Sequence, residues 1–121
     1  MSDEIKHECG LAYIRLRKPF SYYLQKRGSV TYGLNKLYLL MEKQHNRGQD
    51  GAGLATLKLN IEAGNPFLYR QRSNAPQPIA DLFYKIGLEI QELEKFQPDI
   101  TKHPGLMKGH LPFMGEILLG H

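Results

Sequence analysis

Two apolar stripes at helical spacing, separated by short runs of strand character, constrain this chain most. Leu34, Leu37, Tyr38, Met41 and His45 fall at i, i+3, i+4, i+7 and i+11. That spacing predicts an amphipathic helix over residues 31–45, stopped by the breaker chemistry of Asn46 and Gly48. Ile79, Leu82, Phe83, Ile86, Ile90 and Leu93 predict a second helix, ended by Pro98. Core packing is the simplest use of both stripes. Between them, residues 51–59 read as a strand with Ala55, Leu57 and Leu59 on one face. The small residues at 51–53 admit a close neighbouring backbone. Asn60 to Pro66 is turn-like, and residues 67–72 read as an antiparallel partner strand.

Residues 9–16 predict another strand, with Leu11 and Tyr13 on one face and Ala12, Ile14 and Leu16 on the other. Both faces are mainly apolar, so burial on both sides is expected. Residues 19–27 read as an aromatic, basic connection holding no more than one helical turn. Residues 98–115 are rich in Pro, Gly and His and show no clear period. Glu116 to Leu119 starts a last apolar strand. A core strand needs partners and a following turn, so the chain is expected to be truncated. This mixture of helices and strands is of the α+β class.

A length of 121 residues allows one domain with a modest core, or part of a larger one. No apolar run approaches the roughly 20 residues of a membrane helix. The N-terminus is acidic and lacks a signal-length apolar stretch. One cysteine cannot form an internal disulfide, which fits a reducing cytoplasm. The net charge is +4, but the basic residues are scattered, so no nucleic-acid partner is expected. His7, His45, His103, His110 and His121 lack the spacing of a helical metal site, and no metal site is expected.

Cys9 opens the run Cys9-Gly10-Leu11-Ala12-Tyr13-Ile14. Two readings of it stand. A lone cysteine is usually a small apolar strand residue. Alternatively, Met1 to Glu8 is removed and Cys9 becomes a new N-terminus. Its own α-amine, with a pKa of about 7.7–8.0, would then serve as the base for its thiol. A second dense constellation runs Gln44-His45-Asn46-Arg47-Gly48-Gln49-Asp50-Gly51-Ala52-Gly53. Its glycines permit positive φ and close backbone approach, and Arg47 and Asp50 supply a donor fork and an acceptor. On the residues alone, a structural turn with an internal Arg47–Asp50 pair is the simpler account. A nucleotide loop does not, because no Gly-Lys-Ser/Thr follows.

The Cys9-Gly10 start, the helix ending in Gln44-His45, the Arg47-to-Gly53 loop and the closing Gly115 to His121 occur in this order. In that order they resemble class II glutamine amidotransferases of the Ntn-hydrolase family. The wording of the loop is most similar to the branch of amidophosphoribosyltransferases, and residues 1–8 resemble the short propeptide of some members. The resemblance implies an αββα sandwich, with residues 9–121 as the N-terminal part of the glutaminase domain. Cys9 matches the nucleophile and its amine the base. Arg47 and Gly48 match the wall of the glutamine pocket, with Arg47 holding the turn. Gly120-His121 matches the start of a motif whose following arginine grips the glutamine α-carboxylate.

The implied partners are glutamine and, through a further transferase domain, phosphoribosyl pyrophosphate, in a homo-oligomer with neither nucleic acid nor membrane. No cofactor is implied for this segment, and Mg²⁺ is implied for the transferase domain. A sister amidotransferase making glucosamine 6-phosphate or asparagine, and a non-catalytic fragment with a disused cysteine, stand as alternatives. Two departures from the family pattern are visible. Asn46 separates His45 from Arg47, and residues 73–114 exceed the compact members in length, as an insertion.

Overall fold

The computed structural model describes residues 10–44 and 51–121. In chain order these form β1 (Ala12–Arg15), α1 (Phe20–Arg27), α2 (Tyr32–Lys43), β2 (Ala52–Leu57) and β3 (Leu68–Ser73). Then follow α3 (Pro78–Phe96), a 3₁₀ turn at Ile100–Lys102, α4 (Pro104–His110) and β4 (Ile117–Gly120). The strands make one four-stranded antiparallel sheet in the order β1-β4-β2-β3. This is an α+β architecture. Among the described residues, no helix is long and apolar enough to cross a membrane.

Register decides which residues share a face. Ala12 lies opposite Gly120, which also lies opposite Leu54, and Leu118 is flanked by Ile14 and Thr56. These residues point toward α2 and α3, where Leu34, Leu37 and Met41 meet Ile79, Leu82 and Ile86 in one buried cluster. Burying a side chain such as Leu37 or Leu82, each almost wholly enclosed, stabilises the fold by about 1.5–3 kcal/mol. The other face carries Tyr13, Arg15, Ile117, Leu119, Ala55, Leu57, Arg70 and Arg72, and no described element covers it.

That uncovered face corrects one expectation. Leu11 and Tyr13 are 67% and 57% exposed, so β1 is buried on one side only. The Ala55–Leu57 face of β2 is likewise the open one, while Ala52, Leu54 and Thr56 supply the core. The antiparallel pairing of residues 51–59 with 67–72 holds, as do the two amphipathic helices. Residues 20–27 form eight residues of helix rather than a single turn. Phe20 and Tyr23, at i and i+3, are both buried, and Gly28 ends the helix at φ 77, a left-handed conformation that suits glycine. The periodless stretch 98–115 contains α4, whose seven residues start at Pro104 and include two glycines. So short a helix, with Met107 its one buried side chain, leaves almost no periodic trace.

Two polar contacts fix elements that apolar burial alone would leave loose. Ser73, buried at the end of β3, donates its hydroxyl to Asp81 Oδ2 at 2.6 Å in the first turn of α3. Lys108 of α4 reaches Glu116 at 2.7 Å, and Glu116 also accepts Leu59 N–H at 2.8 Å. Lys108 donates to the Leu59 carbonyl as well. This clasp ties α4 to the ends of β2 and β4.

Both contacts yield tests. Lys108→Met leaves Glu116 buried without its cation, so unfolding free energy should fall by about 3 kcal/mol in urea titration. Lys108→Met with Glu116→Leu should recover most of that loss. The Ser73 hydrogen bond, followed by Lys85, holds the Asp81 carboxyl below its ordinary pKa of about 3.9. Its contribution is therefore present above that value and lost as pH falls through the lower folded one. Asp81→Asn should lower Tm at neutral pH and leave it near wild type once the carboxylate is protonated; an equal drop at both would reject the assignment.

Candidate functional site

Cys9, Arg47 and Gly48 lie outside the described residues, as do residues 1–8. Gly10, which follows Cys9 directly, is in contact with Gln44, three residues before Arg47, while Gly51 lies three residues after Gly48. A Cβ on Gly10 would lie 2.6 Å from Gln44 Cβ and 2.4 Å from its Oε1, so only glycine fits without displacing Gln44. The Gln44 amide donates to the Leu11 carbonyl at 3.4 Å. Gln44 itself stands at the C-terminus of α2, its N–H shared between the Leu40 and Met41 carbonyls at 3.2 Å each.

Close approaches continue along the same end of the sheet. Gly51 has its α-carbon against the Ser73 carbonyl and Asn74, where a Cβ would meet the carbonyl oxygen at 3.0 Å. The small residues at 51–53 admit a near neighbour, as their sequence implied. Gly120 sits on Met41 of α2, whose sulfur would be 2.5 Å from a Cβ there. Gly53 and His121 exchange backbone hydrogen bonds of 3.0 and 2.9 Å. The His121 ring lies over Gly53, with Nε2 2.6 Å from where a Cβ would stand. Gly10, Gln44, Gly51, Gly53, Gly120 and His121 thus gather at one sheet end.

Beside them, on the open face, is a cavity of about 540 Å³ with Ala55 and Leu119 on its floor and Arg70, Arg72 and His121 around it. Arg70 and Arg72 have no ion-pair partner among the described residues. Their guanidiniums can accept a carboxylate or another anion in fork geometry. Sequence reading passed over them as scattered charge, although their i, i+2 spacing on β3 already placed them on one face.

Among the described residues, no group of three or more His, Cys, Asp or Glu is arranged to hold a metal ion. No protein-family model matches the chain, no curated protein matches it, and no solved structure matches it.

The Gly10–Gln44 contact should be intolerant of a single methyl. Gly10→Ala should cost about 1–3 kcal/mol by overpacking. Because the nearest fixed atom is Gln44 Cβ, Gln44→Gly should relieve at least half of the loss, whereas Gln44→Ala should not. Paired thermal melts of the single and double variants check this.

Proposed function

We propose that this chain is the N-terminal part of the glutaminase domain of an amidophosphoribosyltransferase. Once residues 1–8 are removed, the Cys9 thiolate attacks the amide carbon of glutamine. Its α-amine takes the thiol proton and passes it to the departing nitrogen, so ammonia leaves and a thioester forms. Water then attacks the thioester, the amine again moving the proton, and glutamate is released with the thiol restored. Ammonia passes to phosphoribosyl pyrophosphate in a separate transferase domain, displacing pyrophosphate to give phosphoribosylamine.

The observation that carries this reading is the Gly10–Gln44 contact. The cysteine start and the Arg47-Gly48 loop are separate stretches of sequence, yet their described neighbours meet, at the sheet end that also holds Gly120-His121. Arg70 and Arg72 add positive potential nearby, suited to an amino-acid carboxylate. The uncovered sheet face, with Tyr13, Ile117, Leu119 and Leu57, supports the finer αββα reading, in which a second sheet packs on it. Residues 1–8 act in this reading as a propeptide that blocks the amine.

The test uses Cys9→Ala in the protein extended through its downstream coding sequence. The substitution keeps the α-amine and nearly the same volume, so folding should change by on the order of 1 kcal/mol. Removing a nucleophile that works as a unit with its base should cost several orders of magnitude in glutamine-dependent rate. Phosphoribosylamine synthesis from high ammonia should survive, and N-terminal sequencing of the active parent should begin at Cys9. Retained glutamine-dependent turnover would return Cys9 to an ordinary strand residue.

A further inference from the structure

The opposite end of the sheet, where β1 leaves at Arg15 and β4 enters at Ile117, is built differently. There α4 and the 60–66 turn stand beside two adjoining cavities of about 530 and 560 Å³ that share Asn60, Gly105 and Lys108. Arg15, Arg17 and Lys18 line one lobe and Lys58 the other, with Lys108 between them. Glu116 is the one carboxylate among the described lining residues, and it is already engaged by Lys108 and Leu59 N–H. Arg15 and Arg17 have no ion-pair partner among the described residues. Among the described residues, the Lys18 ammonium meets only the Tyr22 ring, at 5.7 Å. Lys58 donates to the Lys108 carbonyl and lies close enough to the Lys108 ammonium that burial and that like charge together lower its pKa.

Like charges gathered in a concave surface repel one another, and one carboxylate, itself committed, does not offset them. Such a cleft focuses positive potential and raises the local concentration of anions. The cations match the chemistry of phosphate. Arginine forks bind it bidentately, and lysine meets it as a point charge. A dianionic group also needs more than one cation near it. Each lobe has the volume of a small-molecule site, and the two are joined at Lys108.

We propose that this cleft binds a small molecule bearing two phosphate groups, one toward Arg15, Arg17 and Lys18 and the other toward Lys58, with Lys108 between. The site lies at the far end of the sheet from Gly10 and His121, so it does not rest on the glutaminase reading and does not stand or fall with it.

Inorganic pyrophosphate is the probe, titrated calorimetrically into the 121-residue chain at about 150 mM salt, where exposed charges are screened beyond about 8 Å. One pyrophosphate should bind per chain, with Kd below about 1 mM. Arg15→Ala with Arg17→Ala should weaken binding at least about tenfold, as should Lys58→Met, in line with the loss of charge-assisted bonds. Lys95→Ala removes the same unit of charge from an exposed pair on α3 and should leave binding unchanged. If the double variant melts early, Lys18→Ala, outside the sheet, gives the same reading at a loss of about threefold. Affinity unchanged in the cleft variants, or equally reduced by Lys95→Ala, overturns the proposal. So does sulfate binding as tightly as pyrophosphate, which would mark an unspecific anion site. Tighter binding of a single-stranded oligonucleotide, lost in the same variants, would overturn it in favour of a nucleic-acid surface.

Discussion

The pairing of β4 with both β1 and β2 is the contact on which the rest of the molecule depends. These strands come from distant parts of the chain, and β1 and β2 are not hydrogen-bonded to each other. Only when residues 117–120 lie between them does a continuous sheet exist for α2 and α3 to cover. The junction begins before the strand itself. Glu116 N–H donates to the Leu57 carbonyl at 3.0 Å, and Leu16 N–H to the Glu116 carbonyl at 2.7 Å. Gly115 makes this approach possible, since a Cβ there would meet Leu57 backbone atoms at 2.5–2.9 Å, and backbone cannot swing aside. Loop-closure entropy must be overcome before this pairing returns any stability, so sheet completion should come late in folding.

Because β4 spans the sheet from end to end, it connects two regions of unlike chemistry. At its C-terminal end, glycines bring backbone and side chains into contact at Gly10–Gln44, Gly53–His121 and Gly120–Met41. At its N-terminal end, Glu116 and Lys108 hold α4 in place, and the surrounding cations remain unbalanced. The segment of residues 73–114 includes α3 and α4. It therefore supplies half of the helical cover and one wall of the basic cleft.

The sheet's two faces differ in the same way. On the helix side Thr56 is wholly buried, at a position that strand alternation would assign to the core but its hydroxyl would not. Its Oγ1 has no hydrogen-bond partner among the described residues. On the other side, Tyr13 and Leu119 sit with Arg70 on a surface that is neither purely apolar nor purely polar. Alternation in β1 distinguished the two sets of residues but not their environments, since Leu11 and Tyr13 are as apolar by composition as Ala12 and Ile14.

By itself the sequence determined the local elements with strong periods. Leu34, Leu37 and Met41, and Ile79, Leu82 and Ile86, specify their helices because a repeat near 3.6 residues is a local property. It also determined the motif wording around Cys9 and Arg47 that leads to the glutaminase reading. Short α4 escaped because seven residues with two glycines carry too little repeat to register. Tertiary structure alone decided that Gly10 meets Gln44, that β4 enters between β1 and β2, and that Lys58, Lys108 and Glu116 converge. Apart from Lys108–Glu116, eight residues apart, those contacts join residues tens of positions apart. What selects them is which faces must be buried together and which strand edges remain to be paired, and no local pattern encodes either.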